Sequence, residues 1–274
     1  MVATNMPELE SATFCLSLSV EPKCILDWRC CIGLRGFLGY RLESLIRPVK
    51  QWLIPDFHGN HNNPAHFRLQ LEESNSETGL HIVRVITFGP RSAAMIEAFA
   101  QVLKHTCGEL KTSSGCIPFE VLETTDPEYG AILLPLPEAN GEQLFPEVAQ
   151  LSSLAPCFLK KDTPEVFSSG YWTQLLALRY ADLAEQRRQK VSGRFAPIPG
   201  TVHHMRRKAY SLSMGGRPRP RTGLEYSADF IVSEVWHFRM LELLCLIGLG
   251  KHCAYGAGAF SMRQIEDQPA HKNL

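Results

Sequence analysis

The sequence has no uninterrupted apolar run of the length, about 18 residues, that a membrane-spanning helix needs. Its N-terminus lacks the apolar segment of a signal peptide. The nine cysteines are an odd number and include no C-x-x-C pair, so they indicate neither a disulfide framework nor a classical zinc site. We therefore expect a cytoplasmic protein with reduced thiols and no membrane partner.

Net charge is also absent, since 28 basic residues balance 28 acidic ones, but the cations are unevenly distributed. Between Arg179 and Arg221 eleven basic residues are opposed only by Asp182 and Glu185, a local excess of nine positive charges. Such a belt is typical of a protein that binds a polyanion. A solvated helix face is the alternative, although such a face usually mixes charges of both signs. The distribution favours a nucleic acid as the partner.

Hydrophobic periodicity in the first half predicts the order βαββαβ. The elements are a strand over 13–20, a helix over 33–47, a hairpin of strands over 67–71 and 80–88, a helix beginning at Pro90 and a strand over 117–122. This order is that of a ferredoxin-like unit.

The second half repeats the same order after a stretch rich in Pro and Glu. Its elements are a strand over 151–159, a helix over 164–188, a hairpin of strands over 202–214 and 224–232, a helix over 235–247 and a strand over 259–265. We predict an α+β protein with tandem ferredoxin-like domains at 1–126 and 150–274. Residues 127–149 form the linker, with a short strand over 131–136, and the second domain carries a basic helical insertion. A fold of this kind does not by itself define a function.

The last predicted helix leads into a loop with two Gly-x-Gly pairs, Gly248, Gly250, Gly256 and Gly258. Glycine lets a backbone approach another chain closely and adopt positive φ. Lys251 and His252 lie between the pairs, where their side chains can meet phosphates. The loop is not a P-loop, because its glycines follow a helix instead of preceding one. No parallel βαβ unit surrounds it, so it is not a dinucleotide-binding loop either.

Three segments, over 34–42, 206–211 and 247–260, together with two ferredoxin-like halves, resemble the RAMP superfamily of CRISPR-associated proteins. More narrowly, they resemble the endoribonuclease that cuts precursor CRISPR RNA within its repeats. The resemblance covers nearly the whole chain, and the glycine loop is its most specific part. It implies cleavage without a metal or cofactor, by attack of a ribose 2′-hydroxyl on the adjacent phosphate. It also implies retention of the mature guide RNA in a complex with other CRISPR effector subunits.

The sequence departs from that family in its catalytic residues. Many members use a histidine in or near the first helix, and this chain has no histidine before His58. Arg29, Arg35 and Arg41 lie around the first helix instead, and Arg239 lies in the apolar helix before the glycine loop. Arginine stays protonated, but it can orient a phosphate and stabilise a pentacoordinate transition state. We predict that these four arginines are catalytic, as in the similar arginine-based members from type IV CRISPR systems.

The basic belt and the glycine loop are the predicted contacts to a repeat stem-loop, since cations track the phosphates of A-form RNA. The predicted RNA-binding residues are Arg187, Arg188, Arg194, Arg206, Arg207, Lys208, Arg217, Arg219, Arg221, Gly248, Gly250, Lys251, His252, Gly256 and Gly258. His252 is also the best titrating group if a base exists.

Two other functions stay open. A non-catalytic RAMP subunit would only coat or cap guide RNA, which the missing early histidine favours, whereas the arginines and the glycine loop favour an enzyme. A ferredoxin-like regulatory domain would bind a small ligand in place of RNA. A metal site is not predicted, because His58, His61 and His66 lie in a Gly-, Asn- and Pro-rich loop without organising carboxylates.

Overall fold

A computed structural model describes residues 8–45, 53–58, 65–112, 115–133, 143–159, 170–183, 195–212 and 219–265. Within these ranges the chain forms two antiparallel sheets, each with helices packed against it. We call residues 8–133 the first unit and residues 143–265 the second unit. The helices described include none with the length and apolar character needed to cross a membrane.

The first unit is built on one six-stranded antiparallel sheet whose strands differ in length. Its elements are β1 (Leu9–Val20), α1 (Cys30–Leu45), α2 (Leu53–His58), β2 (Phe67–Asn75), β3 (Leu80–Phe88), α3 (Ser92–Leu103), β4 (Cys107–Thr112), β5 (Gly115–Thr124) and β6 (Glu128–Ile132). The strand order is β2-β3-β1-β5-β4, and β6 pairs with the first residues of β1. Alternation along β1 buries Phe14, Leu16 and Leu18, which share a core with residues of α1 and α3.

The second unit repeats this topology. Its elements are β7 (Gln143–Ser153), α4 (Tyr171–Leu183), β8 (Gly200–Leu212), β9 (Arg219–Glu234), α5 (Val235–Ile247), a 3-10 helix (Cys253–Tyr255) and β10 (Phe260–Ile265). The strand order is β10-β7-β9-β8. Alternate residues of β9, including Leu224 and Phe230, are buried in one core with α4 and α5. The other residues of β9, including Arg221 and Glu225, therefore lie on the opposite face.

The predicted α+β class with tandem ferredoxin-like units is confirmed. In the first unit β1 lies between β3 and β5, with β4 added at the edge beyond β5, and in the second unit β7 lies in the same way between β9 and β10. The helix predicted over 235–247 matches α5 at both ends. The domain boundaries given above stay predictions, and so does the basic helical insertion, because residues 184–194 lie outside the described ranges.

Two predicted strands are displaced. The strand predicted over 151–159 is β7, which begins at Gln143 and ends at Ser153. Pro156 lacks the N–H that a ladder needs, and after β7 only isolated bridges form, at Cys157 and Phe158. The strand predicted over 131–136 is β6, which begins at Glu128 and pairs with β1 in the first sheet.

Candidate functional site

The loop after α5, residues 248–258, is folded tightly against the protein itself. Its four glycines all have positive φ, between +64° and +89°. A Cβ added to Gly258 would lie 2.0 Å from the carbonyl oxygen of Leu249, and one added to Gly256 would lie 2.7 Å from Cβ of Cys31 in α1. The close approach that these glycines permit is therefore between the loop and its own chain. Contact of the four glycines with RNA stays a prediction.

Two arginines hold the loop in place. The buried Arg68 of β2 donates from Nη1 to the carbonyl oxygens of Cys245 and Leu246, at 2.9 and 3.1 Å, and from Nη2 to the side chain of Gln70. Arg179 of α4 donates to the carbonyl oxygen of Gly250 at 3.3 Å. The C-terminal carbonyls of α5 carry the negative end of the helix dipole, so a cation is favourable there. Burial lowers the pKa of Arg68 from its ordinary value.

An aromatic cluster joins the two units beside the loop. Trp28 precedes α1, Phe158 follows β7 and Tyr210 lies on β8, and each pair of ring centroids is 5.8 or 5.9 Å apart. The backbone N–H of Lys251 donates to the carbonyl oxygen of Phe158 at 2.9 Å. The His252 ring lies 6.0 Å from the Phe158 ring. The glycine loop, the first unit and the β8–β9 hairpin therefore meet at this cluster.

Basic side chains surround the aromatic cluster and the loop, and we call this set the cationic face: Arg29, Arg206, Lys208, Arg221 and Lys251. Arg206, Lys208 and Tyr210 alternate along β8 and so share a side of the strand, and Arg221 of β9 is paired with Tyr210. Lys208 Nζ lies 5.5 Å from the centre of the Tyr210 ring. Arg29 and Arg206 both act electrostatically on the Tyr210 hydroxyl.

Two acids interrupt the cationic face, and each is hydrogen-bonded. Asp27 accepts from Arg29, with Nη2 and Oδ2 2.6 Å apart, and this bond raises the pKa of Arg29. Glu225 accepts from the Tyr210 hydroxyl. Burial and then the bond to Glu225 raise the pKa of Tyr210, so the phenol stays protonated at neutral pH. The acids are thus engaged with protein donors, while the basic groups outnumber them.

His252 has an electrostatic environment of its own. Burial lowers the pKa of His252, and the nearby cations Arg221 and Lys251 lower it further. An imidazole with a depressed pKa is neutral at neutral pH and can accept a proton.

The predicted catalytic arginines do not converge on one point. Arg29 belongs to the cationic face. Arg35 packs under the loop, with its guanidinium carbon 4.1 Å from the Tyr255 ring centre, and burial lowers its pKa. Arg41 lies twelve residues beyond Arg29, about 18 Å along a helix axis. Arg239 forms an exposed ion pair with Glu242 at 2.7 Å, on α5 about 13 Å before the loop.

Apart from the four glycines of the loop, the predicted RNA-binding residues divide into three groups. The structure brings Arg206, Lys208, Arg221, Lys251 and His252 together. Arg207 lies on the other side of β8, because its strand partner is the buried Leu224. The third group lies outside the described ranges and consists of Arg187, Arg188, Arg194 and Arg217. For Arg219 only the backbone is described.

The anchoring residue Arg68 was missed at the level of sequence. It alternates with Phe67 and Leu69, so the pattern assigns it to the polar, outward phase of β2. The presence of Gln70 two residues later strengthens that assignment. Only the packing of α5 and its loop over this end of the strand buries the arginine, and no local pattern contains that information.

Metal ligands do not cluster in the part of the chain that the structure describes. No group of three or more His, Cys, Asp and Glu side chains there is suited to hold a metal ion. His58 contacts Glu43 at 3.2 Å, His66 is buried, and His61 lies outside the described ranges. All nine cysteines are free thiols.

The described chain is thus a tandem ferredoxin-like protein with a cationic face where its two units meet. Solved structures share this fold. A CRISPR-associated Cas6 protein aligns with a TM-score of 0.56 at 13% identity, over 93% of this chain and 100% of the other. A Cas6 product complex aligns at 0.54 and 16% identity, over 94% and 100%. A RAMP protein described as binding different RNA substrates aligns at 0.52 and 13% identity, over 93% and 100%.

No protein-family model matches the sequence, and no curated protein sequence matches it. At identities of 13 to 16%, the structural similarity establishes the Cas6 and RAMP fold for this chain.

Proposed function

We propose that the protein is a metal-independent endoribonuclease that cleaves precursor CRISPR RNA within its repeats. In this proposal it retains the mature guide RNA and joins other effector subunits. The observation that carries the proposal is the cationic face on a fold shared with Cas6 proteins, one of them solved as a product complex.

The charge balance of the site supports an RNA partner. Arg206 and Lys208 are exposed on β8, the last strand of its sheet, and Arg221 is exposed beside them on β9. The nearby acid Glu225 is engaged by the Tyr210 hydroxyl and so competes less for these cations. A polyanion that reaches the face meets cations from both units. Neutralisation of phosphates by such cations releases counterions and supplies affinity.

The chemistry assigned to arginine is stabilisation of charge in the transition state. Asp27 binds Nε and Nη2 of Arg29 and fixes the plane of the guanidinium, while 43% of the side chain stays exposed. An oriented guanidinium of this kind needs little reorganisation when charge develops on a phosphate oxygen. We extend the proposal to the arginine-based type IV kind of enzyme, with Arg35, Arg41 and Arg239 as further candidates.

A second candidate is a non-catalytic RAMP subunit that binds guide RNA. One observation favours it: three of the four arginines already have partners in the protein. Arg29 is paired with Asp27, Arg239 with Glu242, and Arg35 is stacked on Tyr255 and Phe57. A cation held in this way supports structure or binding as readily as catalysis.

The two candidates separate in a cleavage assay in EDTA, with purified protein in excess over repeat RNA. We expect a single cut that leaves a 2′,3′-cyclic phosphate and a 5′-hydroxyl, and no cut when the attacking ribose is 2′-deoxy. Intact RNA from about pH 6 to pH 9, the range from histidine to cysteine titration, together with tight binding would leave the non-catalytic function.

Single alanine substitutions assign the arginines. Arg29→Ala should slow cleavage by about 10²-fold, as removal of one transition-state donor does, and weaken binding much less. Arg35→Ala, Arg41→Ala and Arg239→Ala are measured in the same way. Lys104→Ala, at an exposed position after α3, is the matched control and should leave both quantities unchanged. Equal losses of cleavage and binding would make an arginine a binding residue only.

A further inference from the structure

We propose that His252 is the proton acceptor for the attacking 2′-hydroxyl, the base for which the first helix supplies no histidine. The inference rests on the proposed endoribonuclease function and adds one catalytic residue to it. It is carried by the backbone conformation of His252, by the packing of its ring and by its position beside the cationic face.

The backbone of His252 is left-handed, with φ +68° and ψ +21°. The positive φ values within residues 248–258 otherwise belong to the four glycines. A side chain at such a position costs conformational energy that glycine avoids. The carbonyl oxygen of His252 accepts from the backbone N–H groups of Tyr255 and Ala257, at 2.9 and 3.3 Å, which holds this conformation. The loop therefore keeps a histidine where its own geometry favours glycine, and such strain is typical of functional residues.

His252 is half-buried, and its ring packs among aromatic neighbours. The centre of the ring lies 6.0 Å from the ring centre of Phe158 and 6.0 Å from that of Tyr255, and both contacts are edge-to-face. Phe158 in turn packs on Trp28 and Tyr210. A general base benefits from a ring whose movement is restricted, and packing against these aromatic rings restricts that of His252. The ring also keeps part of its surface accessible to an incoming ribose.

The charged groups that act on His252 would attract a phosphate towards the imidazole. Arg221 faces it from β9 and Lys251 from the loop, and Tyr255 faces it from the 3-10 helix with Arg35 stacked beyond. A phosphate attracted by Arg221 and Lys251 comes to rest beside the ring. Burial and the two cations lower the pKa of His252, so that the neutral form, which accepts a proton, is present at neutral pH.

The reaction is a transesterification that consumes no water. His252 takes the proton of the 2′-hydroxyl as O2′ forms a bond to phosphorus. The bond between phosphorus and O5′ then breaks, leaving a 2′,3′-cyclic phosphate. The O5′ oxygen takes a proton from solvent water, and His252 returns its proton to solvent. The cationic face stabilises the charge on the phosphate oxygens.

The left-handed backbone gives a sharp test, because His252→Gly removes the imidazole and relieves the conformation. We expect its midpoint of thermal unfolding to equal or exceed that of the unsubstituted protein. Cleavage of bound repeat RNA should fall about 10²-fold or more, the loss typical of a missing general base. Added imidazole should restore part of the rate, and the acid limb of the pH–rate profile should disappear. His252→Gln, which keeps polarity without the base, should be equally slow.

Each result decides the matter. Cleavage by His252→Gly at the original rate, with an unchanged pH profile, would overturn the inference and leave the endoribonuclease intact. Parallel loss of binding and cleavage without rescue by imidazole would make His252 an RNA contact only. Failure of the unsubstituted protein to cut repeat RNA would overturn the proposed function itself, and the base with it.

Discussion

The guanidinium of Arg68, on a strand of the first unit, donates a 2.9 Å hydrogen bond to the carbonyl oxygen of Cys245 at the end of α5 in the second unit. The same nitrogen donates to Leu246, the next residue. Arg68 is fully buried, so these bonds are made away from water. Because the glycine loop begins directly after α5, this one side chain ties the start of the loop to the sheet of the first unit.

Arg68→Met should remove these bonds and leave carbonyl oxygens of α5 buried without that donor. We expect the free energy of unfolding to fall by about 2–4 kcal/mol, the cost of unpaired buried polar groups, as measured by urea denaturation. Arg84→Met is the matched control on the neighbouring strand. Its ion pair with Glu72, at 2.9 Å, is 44% exposed at the arginine and should contribute less than about 1 kcal/mol. Equal losses of unfolding free energy in the two variants would show that the hydrogen bonds of Arg68 to the end of α5 do not stabilise the protein.

Two glycines should respond in opposite directions to alanine. Gly258 has φ +64°, and a Cβ there would lie 2.0 Å from the Leu249 carbonyl oxygen. We expect Gly258→Ala to lose about 3 kcal/mol, from the left-handed backbone together with the clash. Gly36 lies within α1, and a Cβ there would meet nothing within 4 Å. Gly36→Ala should therefore gain about 0.5–1 kcal/mol. Thermal unfolding of both variants checks the pair, and destabilisation by Gly36→Ala would contradict the reasoning.

Much of the fold could be predicted because the buried face of a strand or helix requires apolar residues at regular intervals in the sequence. The alternating pattern of β9 and the apolar run of α5 place these two elements correctly, and Gly248 ends the helix. The position of β7 was predicted wrongly because its first residues are mixed in polarity and include Pro146. Its pairing with β9 determines the strand there, and that partner is distant in sequence. Tertiary pairing overrides local pattern in such segments.

The candidate site could be predicted only in part. The glycine loop and the basic residues of β8 are visible as local patterns, and the structure brings them together. Trp28 and Phe158 are not visible as site residues, because a single aromatic residue gives no sign of its partner. For the four arginines, the sequence identifies the residue type but does not show which surface each side chain faces. Only the folded structure shows that Arg29 lies at the cationic face and that Arg239 is paired with Glu242 on α5.

The cysteines should differ sharply in reactivity. Cys107 and Cys116 are exposed, whereas Cys30 and Cys157 are buried. A hydrogen bond with Cys31 and burial raise the pKa of Cys30, burial raises that of Cys157, and burial raises that of Cys245 to about 12. Because the thiolate is the nucleophile, iodoacetamide at about pH 8.5, near the ordinary thiol pKa, should label Cys107 and Cys116 first.

The same shifts give a pH dependence of stability. A thiol whose pKa is raised by folding stabilises the native state below its unfolded pKa, and this contribution is lost as the pH rises above that value. The free energy of unfolding should therefore fall above about pH 9, where unfolded thiols ionise.

Peptide mass mapping after brief alkylation, with and without urea, checks the predicted order in which the cysteines are labelled. Early labelling of Cys157 in the folded protein would contradict the burial of that region.

RNA binding at the cationic face should be strongly dependent on salt. Each phosphate contact to single-stranded nucleic acid contributes about 0.7 to the slope of log affinity against log salt concentration. Arg206→Gln and Lys208→Gln should each reduce the magnitude of that slope by about this amount, and the double variant by about twice as much. Fluorescence anisotropy with single-stranded repeat RNA at several salt concentrations measures it, with Lys104→Gln as the control. Weaker binding at an unchanged slope would mean that these side chains contact bases, not phosphates.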